Sequence, residues 1–147
     1  MSNEDFRSAR LYANKKSDDP HTKVGCLIRS PSGEKIVYTN RFPSLLRRSA
    51  NIDFSNKHIW MVHAEQAAIA DFAKHGWDLK NCSMLVTHHP CSECAKLIIS
   101  SGIIKLIAPP PSADPLVLYN FKEAQIMIEE SKIEYVKYRS IQPFNLI

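Results

Sequence analysis

The second half of the chain alternates short apolar segments with segments of helical periodicity, and this alternation restricts its fold most strongly. Ser83 to Thr87 and Ile103 to Ala108 are typical of buried strands, and a helix is predicted between them from near Cys91 to Ser101. Gly102 follows that helix as a stop signal, and three prolines from Pro109 onward end the second strand. Strands separated by helices pair through helical crossovers, which predicts a sheet covered by helices.

The first half of the chain predicts an antiparallel hairpin. Val24 to Ile28 and Lys35 to Thr39 are strand candidates, and turn-forming residues at 30–34 separate them. The other predicted elements are an opening helix to about Lys16, a long loop at 41–58 with room for one helical turn, helices at His63 to Lys74 and Leu116 to Ser131, and a strand at Glu134 to Tyr138. This order predicts one domain over residues 1–147, an α/β sandwich with a mixed five-stranded sheet.

Length and composition are those of a folded globular protein. The chain has 147 residues, of which 44% are hydrophobic and 23% charged, enough for one core. No segment approaches the roughly 20 apolar residues of a membrane helix, and the first residues show no secretory signal, so we expect a soluble, cytoplasmic protein without membrane contact. The net charge is only +4, and Phe42, Trp60 and Trp77 are scattered, so no stable nucleic-acid binding is expected.

The strongest local motif is Pro90-Cys91-Ser92-Glu93-Cys94, which follows a predicted strand and opens a predicted helix. Two cysteines at positions i and i+3 can direct both sulfurs at one metal ion. The partial positive charge of a helix N-terminus favours the thiolate form that binds metals. A structural zinc site normally has four protein ligands, and the chain contains no second Cys-x-x-Cys pair. Other ligands are therefore needed, and histidine is the expected type.

His63 is the best candidate for the third ligand, because it opens a predicted helix and Glu65 follows it two residues later. At the first turn of a helix both side chains can converge on a site beyond the helix end. His89 is a weaker competitor. The other histidines lie in predicted turns, in loops, at a helix end or in unsuitable geometry: His21, His58, His75 and His88.

Three protein ligands leave the fourth position of zinc for water, which is the arrangement of a catalytic site. Zinc lowers the pKa of that water from about 15.7 to about 7, and a nearby carboxylate can carry its proton. Glu65 is the favoured carboxylate. Glu93 is the rival, although acids are common in the first turn of a helix for reasons of the helix dipole alone. His-x-Glu followed by Pro-Cys-x-x-Cys is the signature of the zinc deaminases.

Beyond this signature the chain resembles the deoxycytidylate (dCMP) deaminases over roughly residues 17–108. The matching stretches are Asp19-Pro20-His21-Thr22-Lys23-Val24-Gly25, His63-Ala64-Glu65 with Ala68-Ile69, and Pro90-Cys91-Ser92-Glu93-Cys94-Ala95-Lys96-Leu97-Ile98-Ile99. The resemblance implies a three-layer α/β/α sandwich of the cytidine-deaminase type and hydrolysis of dCMP to dUMP and ammonia. It also implies that zinc-bound hydroxide attacks C4 of cytosine, while Glu65 protonates N3 and then the leaving amine.

The same resemblance implies substrate contacts. The backbone of Ala64 would contact the base, and Asn40 falls where the family has the asparagine of a Gly-Tyr-Asn-Gly motif that touches the sugar. Here that motif is Tyr38-Thr39-Asn40-Arg41, so both glycines are missing. Their loss argues against feedback control by dCTP or dTTP. Arg41 and Lys23 are candidates for contact with a phosphate.

Family members are commonly dimers or hexamers, so the resemblance also implies a homo-oligomer that takes a small nucleotide as substrate. Two alternatives stay open from the residues. One is a zinc deaminase that acts on another nucleoside or on a free base. The other is a zinc-stabilised binding module without catalysis, against which the presence of Glu65 argues.

Overall fold

A computed structural model describes residues 1–44, 46, 55–112 and 120–138 of the chain, and all structural statements refer to these ranges. The elements, in chain order, are α1 (Asn3–Lys16), β1 (Gly25–Arg29), β2 (Lys35–Thr39), α2 (Lys57–Trp60), α3 (Ala64–His75), β3 (Ser83–Val86), α4 (Ser92–Ser100), β4 (Lys105–Ala108), α5 (Phe121–Glu130) and β5 (Glu134–Lys137). Within these ranges no helix is long and apolar enough to cross a membrane.

The five strands form one sheet in the order β2-β1-β3-β4-β5. β1 pairs antiparallel with β2 and with β3, whereas β3, β4 and β5 run parallel to one another. The hairpin between β1 and β2 turns at Gly33, whose φ of +97° suits a residue without a Cβ atom. The helices α4 and α5 supply the crossovers between the parallel strands. The predicted mixed five-stranded sheet is therefore confirmed.

Helices cover both faces of the sheet, because the strands carry apolar side chains on both faces. On one face Phe6 and Ala9 of α1 pack with Leu27, Leu85 and Ile107 of the sheet. On the other face α3, α4 and α5 pack on the alternate strand positions, and the buried members of this second core include Ile28, Met84, Val86, Ala68, Ile98, Leu106 and Ile128. Successive strand residues point to opposite faces, which separates the two cores. The three-layer α/β/α sandwich is confirmed.

Helix α1 is anchored at its first turn and along the sheet. Ser2 caps the helix, and Asp5 completes a reciprocal capping box with it. The Asp5 carboxylate also lies 2.6 Å from the Lys35 ammonium of β2. This end of α1 is therefore tied to an edge strand, while the other end leads to the loop before β1.

Two predicted segments, the loop at 41–58 and the helix from Leu116, lie only partly within the described ranges. The predicted long loop contains the one-turn helix α2, and residues 45 and 47–54 of that loop lie outside the described ranges. The helix predicted from Leu116 begins at Phe121, after Asn120 in a left-handed conformation with φ of +47°. The part of that prediction at 113–119 lies outside the described ranges, as do residues 139–147. The single domain over 1–147 stays a prediction.

The close approach of α1 to β1 at Gly25 gives a test of this packing. A Cβ atom on Gly25 would collide with the backbone carbonyl of Ala9. We expect Gly25→Ala to lower the free energy of unfolding by about 2–3 kcal/mol, because α1 must move off the sheet. Gly33→Ala is the matched control: its Cβ meets open space, and the positive φ costs about 1 kcal/mol. Urea unfolding of both variants checks this, and an equal loss in the two would contradict it.

Candidate active site

Three metal-binding side chains meet where the N-termini of α3 and α4 approach each other. The Nδ1 atom of His63 lies 3.5 Å from the sulfur of Cys91 and 3.4 Å from the sulfur of Cys94. All three donor atoms lie within 4.8 Å of one another. Tetrahedral zinc with ordinary Zn–S and Zn–N bonds separates its sulfur and nitrogen ligands by about 3.6 Å. The donor set and its spacing therefore fit a zinc ion.

Local backbone structure puts these donors in place. His63 is the N-cap residue of α3, and its backbone N–H donates to Gln66 Oε1 at 3.0 Å. Cys91 is the N-cap residue of α4, and its sulfur accepts from the backbone N–H of Cys94 at 3.4 Å. Residues at an N-cap leave the helix axis and face the space beyond the helix end. Two N-caps that face the same space can share one ion.

The electrostatics of the cluster prepare the Cys91 sulfur for metal binding, whereas the Cys94 and His63 side chains must lose protons when a metal binds. The hydrogen bond with the Cys94 thiol, followed by that with His63, lowers the pKa of Cys91 to about 4 against the opposing effect of burial. The hydrogen bond to Cys91 and burial raise the pKa of Cys94. Metal binding therefore has to release the proton of Cys94, as thiolate is the form that ligates. The hydrogen bond to Cys91 also raises the pKa of His63.

Glu65 is the acid of this site. It lies in the first turn of α3 and is only 4% exposed. Burial raises the pKa of its carboxyl group to about 7. A carboxyl group with such a pKa can both take up and release a proton near neutral pH. The rival Glu93 is different, because its carboxylate is exposed and lies 2.6 Å from the Lys96 ammonium.

A pocket opens in front of the cluster. It lies between the loop before β1, the end of β2, helix α2 and the starts of α3, α4 and α5. The residues that line it are Asp19, Thr22, Val24, Asn40, Lys57, His58, Met61, His63, Ala64, Glu65, His88, His89, Cys91 and Phe121. Polar side chains, four histidines among them, line the pocket together with apolar ones such as Val24, Met61 and Phe121, and a concave mixture of this kind suits a small polar molecule.

Two of the predicted substrate contacts, Ala64 and Asn40, line this pocket. The Asn40 side chain also organises the pocket wall: its Oδ1 accepts from Val24 N–H at 2.9 Å and from Ser17 Oγ at 2.8 Å. Its Nδ2 donates to the Thr22 carbonyl at 2.8 Å. One N–H of the amide therefore remains for a ligand.

The other two predicted contacts lie elsewhere. The ammonium of Lys23 donates to the Asn14 carbonyl at 3.1 Å and does not line the pocket. Arg41 pairs through its backbone with Val62 and lines a neighbouring cavity with Phe42 and Lys74. The structure therefore brings neither cation to the described pocket.

Several residues that line the pocket were not predicted from the sequence as pocket residues. Lys57 lies in the segment interpreted as a loop, and its ammonium lies 2.6 Å from the carboxylate of Asp19. His58 and His88 line the pocket without belonging to the metal cluster. His89 also lines the pocket outside the metal cluster, and its Nδ1 lies 3.1 Å from the Pro109 carbonyl. A weak signal was present for the aspartate, since Asp19-Pro20 belongs to a stretch already recognised as a resemblance.

Comparison with known proteins agrees with this geometry. A family model described as the cytidine and deoxycytidylate deaminase zinc-binding region matches residues 2–108. An uncharacterized deaminase of Aliivibrio fischeri is 36% identical over 132 residues, which cover 88% of this chain and 87% of that protein. The deoxycytidylate deaminase of Homo sapiens is 35% identical over 110 residues, 69% of this chain, and the match spans 61% of the human protein's length.

The fold has solved counterparts. The dCMP deaminase of the cyanophage S-TIM5, in complex with dCMP and dUMP, superimposes with a TM-score of 0.76 over 94% of this chain and 99% of that chain, at 22% identity. This likeness supports the fold. Together with the matched zinc-binding region, the donor set of His63, Cys91 and Cys94 identifies zinc as the cofactor.

Metal content gives a direct test of the cluster. We expect the purified chain to carry about one zinc ion, and Cys94→Ser to retain less than about a tenth of it, because a hydroxyl is a poor replacement for a thiolate ligand. Cys82→Ser is the matched control, since its buried thiol lies 3.5 Å from the Asp78 carbonyl and outside the cluster. Elemental mass spectrometry measures the zinc. Full zinc content in Cys94→Ser would exclude Cys94 as a ligand.

Proposed function

Because this chain belongs to the cytidine and deoxycytidylate deaminase family, we propose that it hydrolyses the 4-amino group of a cytosine nucleotide, converting dCMP to dUMP and ammonia. The observation that carries the proposal is the position of Glu65. Its carboxyl group is buried in the pocket, two residues from one metal-binding side chain and in the same pocket as a second. A purely structural metal site has no need for such an acid.

The cluster supplies the place for the metal. His63, Cys91 and Cys94 would hold zinc and leave its fourth position to water. When bound, zinc acidifies that water to a pKa of about 7 and so provides a nucleophile at neutral pH.

Glu65 carries the protons of the reaction. Its carboxylate takes a proton from the attacking water and delivers it to N3 of the ring while a C–O bond forms at C4. It then carries the remaining hydroxyl proton to the amino group, the C4–N bond breaks, and ammonia leaves as the C4 carbonyl forms. Each transfer needs the carboxyl group in the opposite protonation state, which fits a pKa of about 7.

The pocket walls hold the substrate. We assign contact with the cytosine base to the backbone of Ala64, which is fully buried at the start of α3 beside Glu65. We assign contact with the sugar to the remaining N–H of the Asn40 amide, which can donate to a hydroxyl oxygen. Arg41 and Lys23 receive no substrate contact in this proposal.

We further propose that the chain acts in the cytoplasm as a homo-oligomer. In support of the compartment, Cys26, Cys82, Cys91 and Cys94 are all unpaired, as is usual in a reducing environment. In support of association, Leu97 of α4 and Ile126 of α5 are 42% and 45% exposed. Contiguous patches of exposed apolar side chains are typical of surfaces that contact another protein.

A pair of glutamate substitutions tests the role of Glu65. We expect Glu65→Gln to lower kcat by about 10²–10⁴-fold with zinc content unchanged, because the amide cannot carry protons. Glu93→Gln is the matched control and should keep wild-type activity, since Glu93 is exposed and paired with Lys96. Ammonia release from the zinc-loaded proteins is the measurement. Full activity in Glu65→Gln would refute the assignment.

A substrate panel tests the choice of nucleotide. We expect kcat/KM for dCMP to exceed the values for deoxycytidine, cytidine, cytosine and guanine at least about tenfold, because a bound phosphate adds charge-assisted hydrogen bonds. Ammonia release at saturating zinc measures all five compounds. If kcat/KM were higher for a free base or a nucleoside, that compound and not dCMP would be the substrate, and the zinc chemistry would still hold.

A further inference from the structure

The pocket contains a cationic side chain on a helix that supplies no metal ligand. Among the described residues that line it, Lys57 is the only lysine or arginine. The metal ligands and Glu65 belong to the N-termini of α3 and α4, whereas Lys57 begins α2. If the proposed function holds, the substrate carries a phosphate that needs a cation, and the pocket offers one. We propose that Lys57 binds the 5′-phosphate and thereby selects nucleotides over nucleosides.

Asp19 holds Lys57 in position without exhausting its donors. Its Oδ2 lies 2.6 Å from the Lys57 ammonium, and its Oδ1 accepts from the backbone N–H groups of His21 and Thr22 at 2.9 and 3.0 Å. The carboxylate is 4% exposed and therefore fixed. An ammonium group has three N–H donors, and Asp19 takes one of them. Two N–H groups remain for an anion, and the lysine side chain is already ordered before the anion arrives.

A chain of hydrogen bonds in the pocket wall links the group assigned to the sugar with Lys57. Asp19 holds the Thr22 backbone N–H, and the Thr22 carbonyl accepts from the Asn40 amide at 2.8 Å. The amide assigned to the sugar is thus connected through Thr22 and Asp19 to Lys57. Base, sugar and phosphate would face Glu65, Asn40 and Lys57 in turn.

The experiment compares substrates with and without the phosphate. In the zinc-loaded protein we expect Lys57→Gln to lower kcat/KM for dCMP at least about tenfold, mainly through KM, and to leave deoxycytidine within about twofold. The Gln amide can still donate to Asp19, so the fold is retained. Lys57→Arg keeps the charge and should recover part of the loss. Lys105→Gln is the matched control, because Lys105 lies 2.8 Å from Glu134 and outside the pocket.

Product binding provides a readout that does not depend on turnover. Calorimetric titration should show that Lys57→Gln weakens binding of dUMP at least about tenfold and leaves deoxyuridine unchanged. An equal loss for dCMP and deoxycytidine, or for dUMP and deoxyuridine, would show that Lys57 only supports the fold, and it would overturn the proposal. The proposal would also be overturned if the wild-type protein bound dUMP no more tightly than deoxyuridine. If dUMP binding depends on Lys57 but no cytosine compound is deaminated, only the proposed function fails.

Discussion

The convergence of two helix N-termini on one point is the constraint on which the site depends. His63 precedes α3 and Cys91 precedes α4, and both use extended N-cap backbone that faces the same space. The hydrogen bonds at this point lower the pKa of Cys91 to about 4, so one ligand is ready as thiolate. The sheet supports the convergence, because α3 packs on β1 and β2 while α4 directly follows β3, the strand that pairs with β1. A shift of either helix along the sheet would separate the donors.

Burial gives Glu65 its chemistry. The same packing of α3 on β1 and β2 that forms one of the two cores also removes the Glu65 carboxyl group from water. Its pKa then rises to about 7, because the loss of solvation by the charged form outweighs the lowering effects of its backbone hydrogen bond and of the neighbouring His63. Glu93 has the same residue type and a similar place in a first helical turn, yet it is exposed and paired with Lys96. Environment therefore separates a proton carrier from a surface acid.

Much of the fold and of the metal cluster was predictable from the sequence, because both depend on local patterns. The hairpin and the parallel strands follow from apolar runs and turn residues, and their predicted limits differ by only a residue or two from the observed ones. The spacing of Cys91 and Cys94 within one helical turn is also local. The positions of the two cations predicted to contact a phosphate could not be read from the sequence, because they depend on tertiary contacts. Arg41 and Lys23 are close in sequence to pocket residues, but the backbone pairing of Arg41 with Val62 and the contact of Lys23 with Asn14 place both outside the lining.

The amino-acid sequence determined the kinds of elements, the zinc donors and the acid beside them, since helix periodicity, strand alternation and ligand chemistry are properties of neighbouring residues. Only the tertiary structure decided which distant side chains share the pocket. Lys57 and Asp19 are separated by 38 positions and meet at 2.6 Å. Asn40 joins them through Thr22, because β2 ends beside the loop that precedes β1. Such contacts depend on how loops cross the edge of the sheet, and no local pattern of residues encodes that path.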